Sequence, residues 1–200
     1  FPAMHWGDVP GLMVKLEQSD SRAGVAARLL ILTGARAQMV RLATWAEFDL
    51  LGGIWSLPAE RMKMRQSFNI PLAPQVLELL RLLESMPRTI ENSPYLFPGQ
   101  GKTGVMHANA IRNLLHGLGH GDITRHGFRA SFRDWANERT NYPREICELA
   151  LAHDERDQTE AAYSRSDFIE KRRALMVDWA DYATKQPARN VVPFRKTTHD

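Results

Sequence analysis

Cysteine is almost absent from this sequence, which has one such residue, Cys147, in 200. A single thiol has no internal disulfide partner, so the composition fits a reducing compartment such as the cytoplasm. No apolar run is long enough to span a bilayer, and no segment has the pattern of a secretory signal peptide. These absences exclude a disulfide-stapled secreted scaffold and predict a soluble cytoplasmic protein.

Positive charge is only slightly in excess of negative charge. The chain has 26 lysines and arginines against 23 acidic residues, a net charge of +3. Most of the basic residues are arginine, which binds phosphate oxygens in a bidentate manner. The balance therefore permits a nucleic acid partner without requiring one. The length suits one sizeable domain with a core of its own.

Signals for β-structure are confined to one region. The segment Leu50–Trp55 has a Gly-Gly pair beside apolar residues, which is typical of a hairpin. Ile54–Leu57 and Ser67–Leu72 are predicted strands, joined by the basic connection Pro58–Gln66. Everywhere else the apolar spacing is helical. The predicted fold is α+β and mainly α, a helical bundle with a small antiparallel sheet.

Helix boundaries follow from capping residues, prolines and glycines. Ser21 is expected to cap a helix that stops at Gly34. The other predicted helices are one capped by Asp8, Ala37–Leu42, one from Pro74, His107–Leu118, one capped by Thr124, one from Pro143, Gln158–Tyr163 and Phe168–Tyr182.

The most informative local pattern is His126-Gly127-Phe128-Arg129 at the start of a predicted helix. Residues three apart lie on one helix face, so the imidazole and the guanidinium are neighbours. The helix N-terminus adds positive potential, which makes an anion site with a proton carrier. Taken alone, the pattern is also that of an ordinary solvated helix start, because short motifs match by chance.

Other polar residues accompany this pattern in a fixed order. Arg36 follows a helix stop, Lys63 lies on the strand connection, His153 ends a helix, and Tyr163 comes ten residues later. This order resembles that of the tyrosine recombinases, especially the integrases of prophages and genomic islands. The likeness covers nearly all of residues 5 to 182, in the segments LTGARAQMVRLATW, IWSLPAERMKMRQSFNIPL, YLFPG, ITRHGFRASFRDWANE, ELALAH, AAYSR and KRRALMVDWADY.

The resemblance implies the catalytic-domain fold of that family, with residues 1–184 as the catalytic domain and 185–200 as a flexible tail. The chain begins with Phe1, so we expect a fragment without the family's N-terminal DNA-binding domains. The implied partner is double-stranded DNA, bound as a homo-tetramer by the full-length protein, with no cofactor or metal. The implied source is bacterial or phage-encoded. The implied catalytic residues are Arg36, Lys63, His126, Arg129, His153 and Tyr163.

The resemblance assigns each of these a role in site-specific recombination. Two arginines, with a histidine as third donor, would neutralise the phosphoryl oxygens. Tyr163 would attack phosphorus to give a 3′-phosphotyrosine, and its phenol, with a pKa near ~10, needs a base or positive charge. His126 would be that base. Lys63 would protonate the departing 5′ oxygen.

One residue departs from the family pattern. The third residue after the first arginine is normally acidic, and here it is Met39. A degenerate integrase that binds DNA with little turnover is therefore an alternative, as is a type IB topoisomerase-like enzyme. A metal-dependent nuclease would need a carboxylate cluster, which is missing. His116 and His120 are four residues apart but have no third metal ligand.

Overall fold

The computed structural model describes residues 2–62, 65–87, 90–152 and 168–185. In these ranges the chain forms eight α-helices and one three-stranded antiparallel sheet, which confirms the predicted fold class. The helices are α1 (Val9–Glu17), α2 (Arg22–Thr33), α3 (Ala37–Arg41), α4 (Pro74–Ser85), α5 (Ala110–Gly117), α6 (Gly127–Arg139), α7 (Arg144–Ala150) and α8 (Ile169–Ala183). The strands are β1 (Phe48–Asp49), β2 (Ile54–Leu57) and β3 (Phe68–Pro71).

Helix α2 is the central element of the bundle. Its residues are apolar and buried on almost every side, and it packs against α1, α3, α4, α5 and α8. The hydroxyl of Ser21 accepts the Gly24 N–H at 3.0 Å and caps the helix start. Gly34 ends the helix in the left-handed conformation, with φ of 61°. Both predicted ends of this helix are confirmed.

Aromatic rings join α6 and α8 within the core. Trp179 stacks obliquely on Trp135, with ring centroids 5.1 Å apart, and meets Phe132 edge-on at 5.5 Å. The Trp179 indole N–H donates to the carbonyl of Ile31 at 2.8 Å, so α8 is also tied to α2. These contacts give the cluster both packing and a fixed orientation. Trp55, Trp135 and Trp179 are buried in the core, and Trp45 is half-buried against it.

The sheet has the order β1-β2-β3, with Trp55 opposite both Phe48 and Ile70. The predicted hairpin is present, but Leu50 and Leu51 lie in its turn. The carboxylate of Asp49 accepts the N–H groups of Leu51 and Gly52 at 3.1 and 2.9 Å, which stabilises a turn before the glycines. Leu51 is fully exposed at the tip.

Several predicted helix starts differ by a few residues. Helix α5 begins at Ala110, three residues after His107, because His107 closes a turn of its own by accepting the Asn109 N–H through Nδ1. Asp8 precedes α1 but makes no side-chain capping bond. Cys147 is buried, and burial raises the pKa of its thiol.

Two predicted segments, the helix Gln158–Tyr163 and the tail after Lys185, lie outside the described residues. None of the helices within the described ranges is long and apolar enough to cross a membrane.

We predict that Gly34→Ala destabilises the fold. Alanine at φ of 61° is strained, and its Cβ would lie 3.1 Å from Leu151 Cδ2. The backbone strain alone costs about 1–2 kcal/mol, which chemical denaturation would measure. Gly101→Ala is the matched control, because no atom lies within 4 Å of that position. Equal stability of the two variants would contradict the prediction.

Candidate functional site

Arg36 is placed by the sharp turn between α2 and α3. After Gly34, the Thr33 hydroxyl accepts the Ala35 N–H at 3.3 Å and also donates to Leu29 O at 2.6 Å. Arg36 is then the N-cap residue of α3 and is half-buried. The turn therefore presents this guanidinium from a backbone that is fixed on both sides.

Arg129 lies on α6 beneath that turn. It is 8% exposed, an unusually deep burial for a charged side chain. Its Nη1 donates to Gly34 O and its Nη2 to Leu151 O, each at 2.5 Å. Arg129 thus joins the segment before Arg36 to the end of α7, two residues before His153.

The charge of Arg36 acts on Arg129. Burial, and then the positive charge of Arg36, lower the pKa of Arg129 to about 10, while Glu148 opposes the shift. At this pKa Arg129 is still protonated at neutral pH. Glu148 is buried on α7 and pairs with Arg133 at 2.8 Å. The site therefore concentrates positive charge, which attracts an anion such as a phosphate.

His126 stands at the N-cap position of α6, exposed to solvent. Partial burial of its ring lowers its pKa below the ordinary value, and the charges of Arg125, Arg129 and Arg36 lower it further. The imidazole is therefore mainly neutral at pH 7 and able to accept a proton. The structure brings together three of the six predicted site residues: Arg36, His126 and Arg129.

The position of His126 depends on how α6 begins. The helix starts at Gly127, three residues after the predicted cap Thr124, although the Thr124 hydroxyl still accepts the Gly127 N–H at 3.1 Å. Thr124 also donates its own N–H to Pro2 O at 3.1 Å. A Cβ on Gly127 would lie 2.3 Å from Pro2 O, so glycine is required where the N-terminal segment crosses the helix start.

The other three predicted residues, Lys63, His153 and Tyr163, lie outside the described residues. The residues that precede Lys63 and His153 are described. Met62 packs against the core, and Leu151 is held by Arg129. The assignment of these three side chains to the site therefore stays a prediction.

Sequence reasoning missed two charged residues beside the site. Arg125 donates to the carbonyl of Ala108 and acts on His126 through its charge. Glu148 provides the countercharge for Arg129. The sequence did contain a signal for Glu148, because this acidic residue lies between the apolar Cys147 and Leu149. An acidic residue in such a position is typical of a buried carboxylate with a cationic partner.

Metal ligands are not clustered in the part of the chain that the structure describes, where no group of three histidines, cysteines or carboxylates could hold an ion. In the same ranges His116 is exposed, and His120 Nε2 lies 3.3 Å from Lys15 Nζ. A lysine ammonium beside His120 disfavours a metal cation there.

Comparison with known proteins adds to this geometry. A model described as the phage integrase family matches residues 5–170. The chain is 31% identical to an integrase of Enterobacteria phage P4, over 91% of this chain and 45% of that protein. It is 34% identical to the prophage integrase IntZ of Escherichia coli strain K12, over 87% of this chain and 43% of that protein. The chain thus spans less than half the length of these relatives.

A solved structure has the same fold. The integrase from mycobacterium phage Brujita aligns with a TM-score of 0.62 at 18% identity, over 91% of this chain and 60% of that one. At this identity the match shows the fold alone.

We predict that His126 titrates below 6.5, because partial burial and the nearby cations disfavour its charged form. Arg125→Gln removes one of these cations and should raise the midpoint towards 6.5. The measurement is an NMR titration of the imidazole signals, with His126→Gln to assign them. Arg81→Gln, on the exposed side of α4, is the matched loss of charge and should leave the midpoint unchanged. A midpoint at or above 6.5 would show the prediction to be wrong.

Proposed function

The chain belongs to the phage integrase family, and from this premise we propose that it cuts and rejoins DNA strands in site-specific recombination. The proposed intermediate is a 3′-phosphotyrosine on Tyr163, formed without a metal. The observation that carries the proposal is the coupling of two guanidinium groups, on Arg36 and the buried Arg129, beside a neutral imidazole on His126. This combination suits a phosphodiester, which needs charge neutralisation and a proton acceptor together.

The arginines would act on the non-bridging phosphoryl oxygens. A DNA phosphodiester repels nucleophiles, and negative charge builds on these oxygens as the attack proceeds. Arg36 and Arg129 have the planar donor geometry that binds such oxygens. His153 would supply a third donor. Fixed backbone contacts around both arginines favour the proposal, because preorganised donors need no rearrangement during the reaction.

Proton transfer would involve the remaining three residues. Tyr163 would lose its phenol proton to His126 as its oxygen attacks phosphorus. The P–O5′ bond would break, with its electron pair on the 5′ oxygen, which takes a proton from the Lys63 ammonium. The 5′-hydroxyl of the partner strand would later reverse these steps and release the tyrosine. The phosphotyrosine conserves the bond energy, so no nucleotide hydrolysis is needed.

We further propose that residues 1–184 form the catalytic domain and 185–200 a tail. The partner is double-stranded DNA, with a homo-tetramer on DNA as the assembly of the full-length protein. This domain alone would bind DNA weakly and mostly through phosphates, with an affinity that falls steeply as salt rises. Tight sequence-selective binding retained in high salt would contradict this part of the proposal.

A second candidate function, DNA binding with little turnover, is favoured by Met39. Its thioether accepts the Arg36 N–H at 3.4 Å, at the position where the family has an acidic residue. Sulfur is a weak acceptor, whereas a carboxylate at the third helical position caps the N-cap N–H strongly. Arg36 therefore has weaker local support in this chain than the family pattern provides.

We predict that the chain relaxes supercoiled plasmid in EDTA and becomes covalently attached to the DNA. Both activities should be lost in Tyr163→Phe, which keeps the ring but removes the nucleophilic oxygen. Gel electrophoresis after detergent and protease treatment measures relaxation and attachment together.

Attachment that persists in Tyr163→Phe would contradict the proposed nucleophile. Plasmid binding without relaxation or attachment, in this chain and also in a version extended to the length of its relatives, would favour the second candidate. A type IB topoisomerase-like activity would relax plasmid but fail to exchange strands between two duplexes.

We also predict that Met39→Glu increases the rate of covalent attachment several-fold, because a carboxylate would accept the Arg36 N–H more strongly. Met39→Leu, which has a similar volume but no acceptor, should decrease it. Because Met39 is 6% exposed, circular dichroism should verify that both variants are folded. Equal rates in the three proteins would show that this cap does not limit the function of Arg36.

A further inference from the structure

A shielded ion pair outside the predicted site ties the strand connection to the sheet. Glu47 and Arg61 form a salt bridge with each other, and their side chains are only 9% and 18% exposed. Glu47 also accepts the Trp55 indole N–H at 2.8 Å and the Thr44 hydroxyl at 3.2 Å. The carboxylate therefore accepts hydrogen bonds from its own turn, from β2 and from the strand connection.

Arg61 extends this network to α3. Its Nη1 donates to Glu47, and its Nη2 donates to Met39 O at 2.6 Å. Helix α3 begins after Arg36, so one guanidinium joins the helix of the first arginine to the β2–β3 connection. Only arginine has two terminal nitrogens in a rigid plane that can make both bonds together.

The connection is anchored just before the predicted lysine. Arg61 precedes Lys63 by two residues, and Met62 between them packs against the core. The Arg65 N–H donates to Met62 O at 3.0 Å, so the residues flanking Lys63 and Met64 are also joined. Because breaking one side of a shielded pair leaves the other charge poorly solvated, this pair holds the connection more firmly than an exposed pair would.

We propose that Glu47 and Arg61 are positioning residues, which hold the strand connection against the helix of Arg36 so that Lys63 can protonate the leaving group. This inference rests on the proposed function. It predicts that loss of the pair weakens one step, the transfer of a proton to the 5′ oxygen as the P–O5′ bond breaks. Attack by Tyr163 on phosphorus would be affected much less.

Replacing the bridging 5′ oxygen by sulfur isolates that step. When the P–S bond breaks, the electron pair stays on sulfur. A thiol has a pKa near ~8.5, so the thiolate leaves without a proton donor. An alkoxide is far more basic than a thiolate, so it leaves poorly without a proton donor. The sulfur substrate therefore does not require Lys63.

The experiment compares the two substrates at single turnover. The probe is a synthetic duplex that spans the position this chain cleaves most often in plasmid, made with oxygen or sulfur at that bridge. Arg61→Met should attach to the oxygen duplex about 10- to 100-fold more slowly, a partial loss of the roughly 100- to 10,000-fold that general acid catalysis contributes. Its rate on the sulfur duplex should stay within about threefold of the unmodified chain. Glu47→Gln and Arg61→Lys should show the same selectivity to a smaller degree.

Two controls make the comparison decisive. Lys63→Ala removes the proposed acid, so it should show the largest difference in attachment rate between the two substrates. Arg28→Met removes an arginine that is similarly shielded, 15% exposed and paired with Glu17, but distant in sequence from the connection, and it should alter neither rate. The ratio of the two rates is independent of the folded fraction, because both are measured on one preparation.

The outcomes separate this inference from the proposed function. Equal slowing on both substrates would mean that the pair supports the whole domain, and it would overturn the inference. Unchanged rates on both in Arg61→Met would overturn it as well. If the unmodified chain forms no adduct with either duplex while it binds both, the proposed function itself fails.

Discussion

The site depends on burying one guanidinium where two helices end. Gly34 and Leu151 are the C-cap residues of α2 and α7, and carbonyls at helix C-termini lack intrahelical partners and carry partial negative charge. Arg129 donates to both of these carbonyls. A cation that would be costly to desolvate is thereby stabilised by fixed dipoles, and the same contacts hold together two chain segments that lead to other predicted site residues.

This arrangement leaves the site with an excess of positive charge. The positive charge of Arg36 helps to lower the pKa of Arg129, and Glu148 offsets the effect only in part. The same cations help to keep His126 neutral. A phosphate would therefore relieve repulsion between the arginines and would meet an imidazole that is already able to accept a proton. The excess positive charge thus underlies both the lowered pKa values at the site and the chemistry that we propose for it.

The supports of the site are of two kinds. Helix α2 and the aromatic rings around Trp179 form an apolar frame that fixes the turn before Arg36. The strand connection is fixed instead by polar contacts, through Glu47 and Arg61. The difference has a physical reason. A short connection between two strands buries little apolar surface beyond Met62, so directional hydrogen bonds contribute much to its position.

The sequence by itself determined the helices and strands, because caps, glycines and apolar periodicity act over a few residues. Ser21 and Gly34 bound α2 as predicted, and the prediction was off mainly at helix starts such as His107, where a side chain makes a competing turn. The types of the site residues were also evident, although Lys63, His153 and Tyr163 stay predictions. Only the tertiary structure decided which groups support Arg129, His126 and the strand connection. Arg129 and Gly34 are 95 positions apart, and no local pattern encodes a contact made across such a distance.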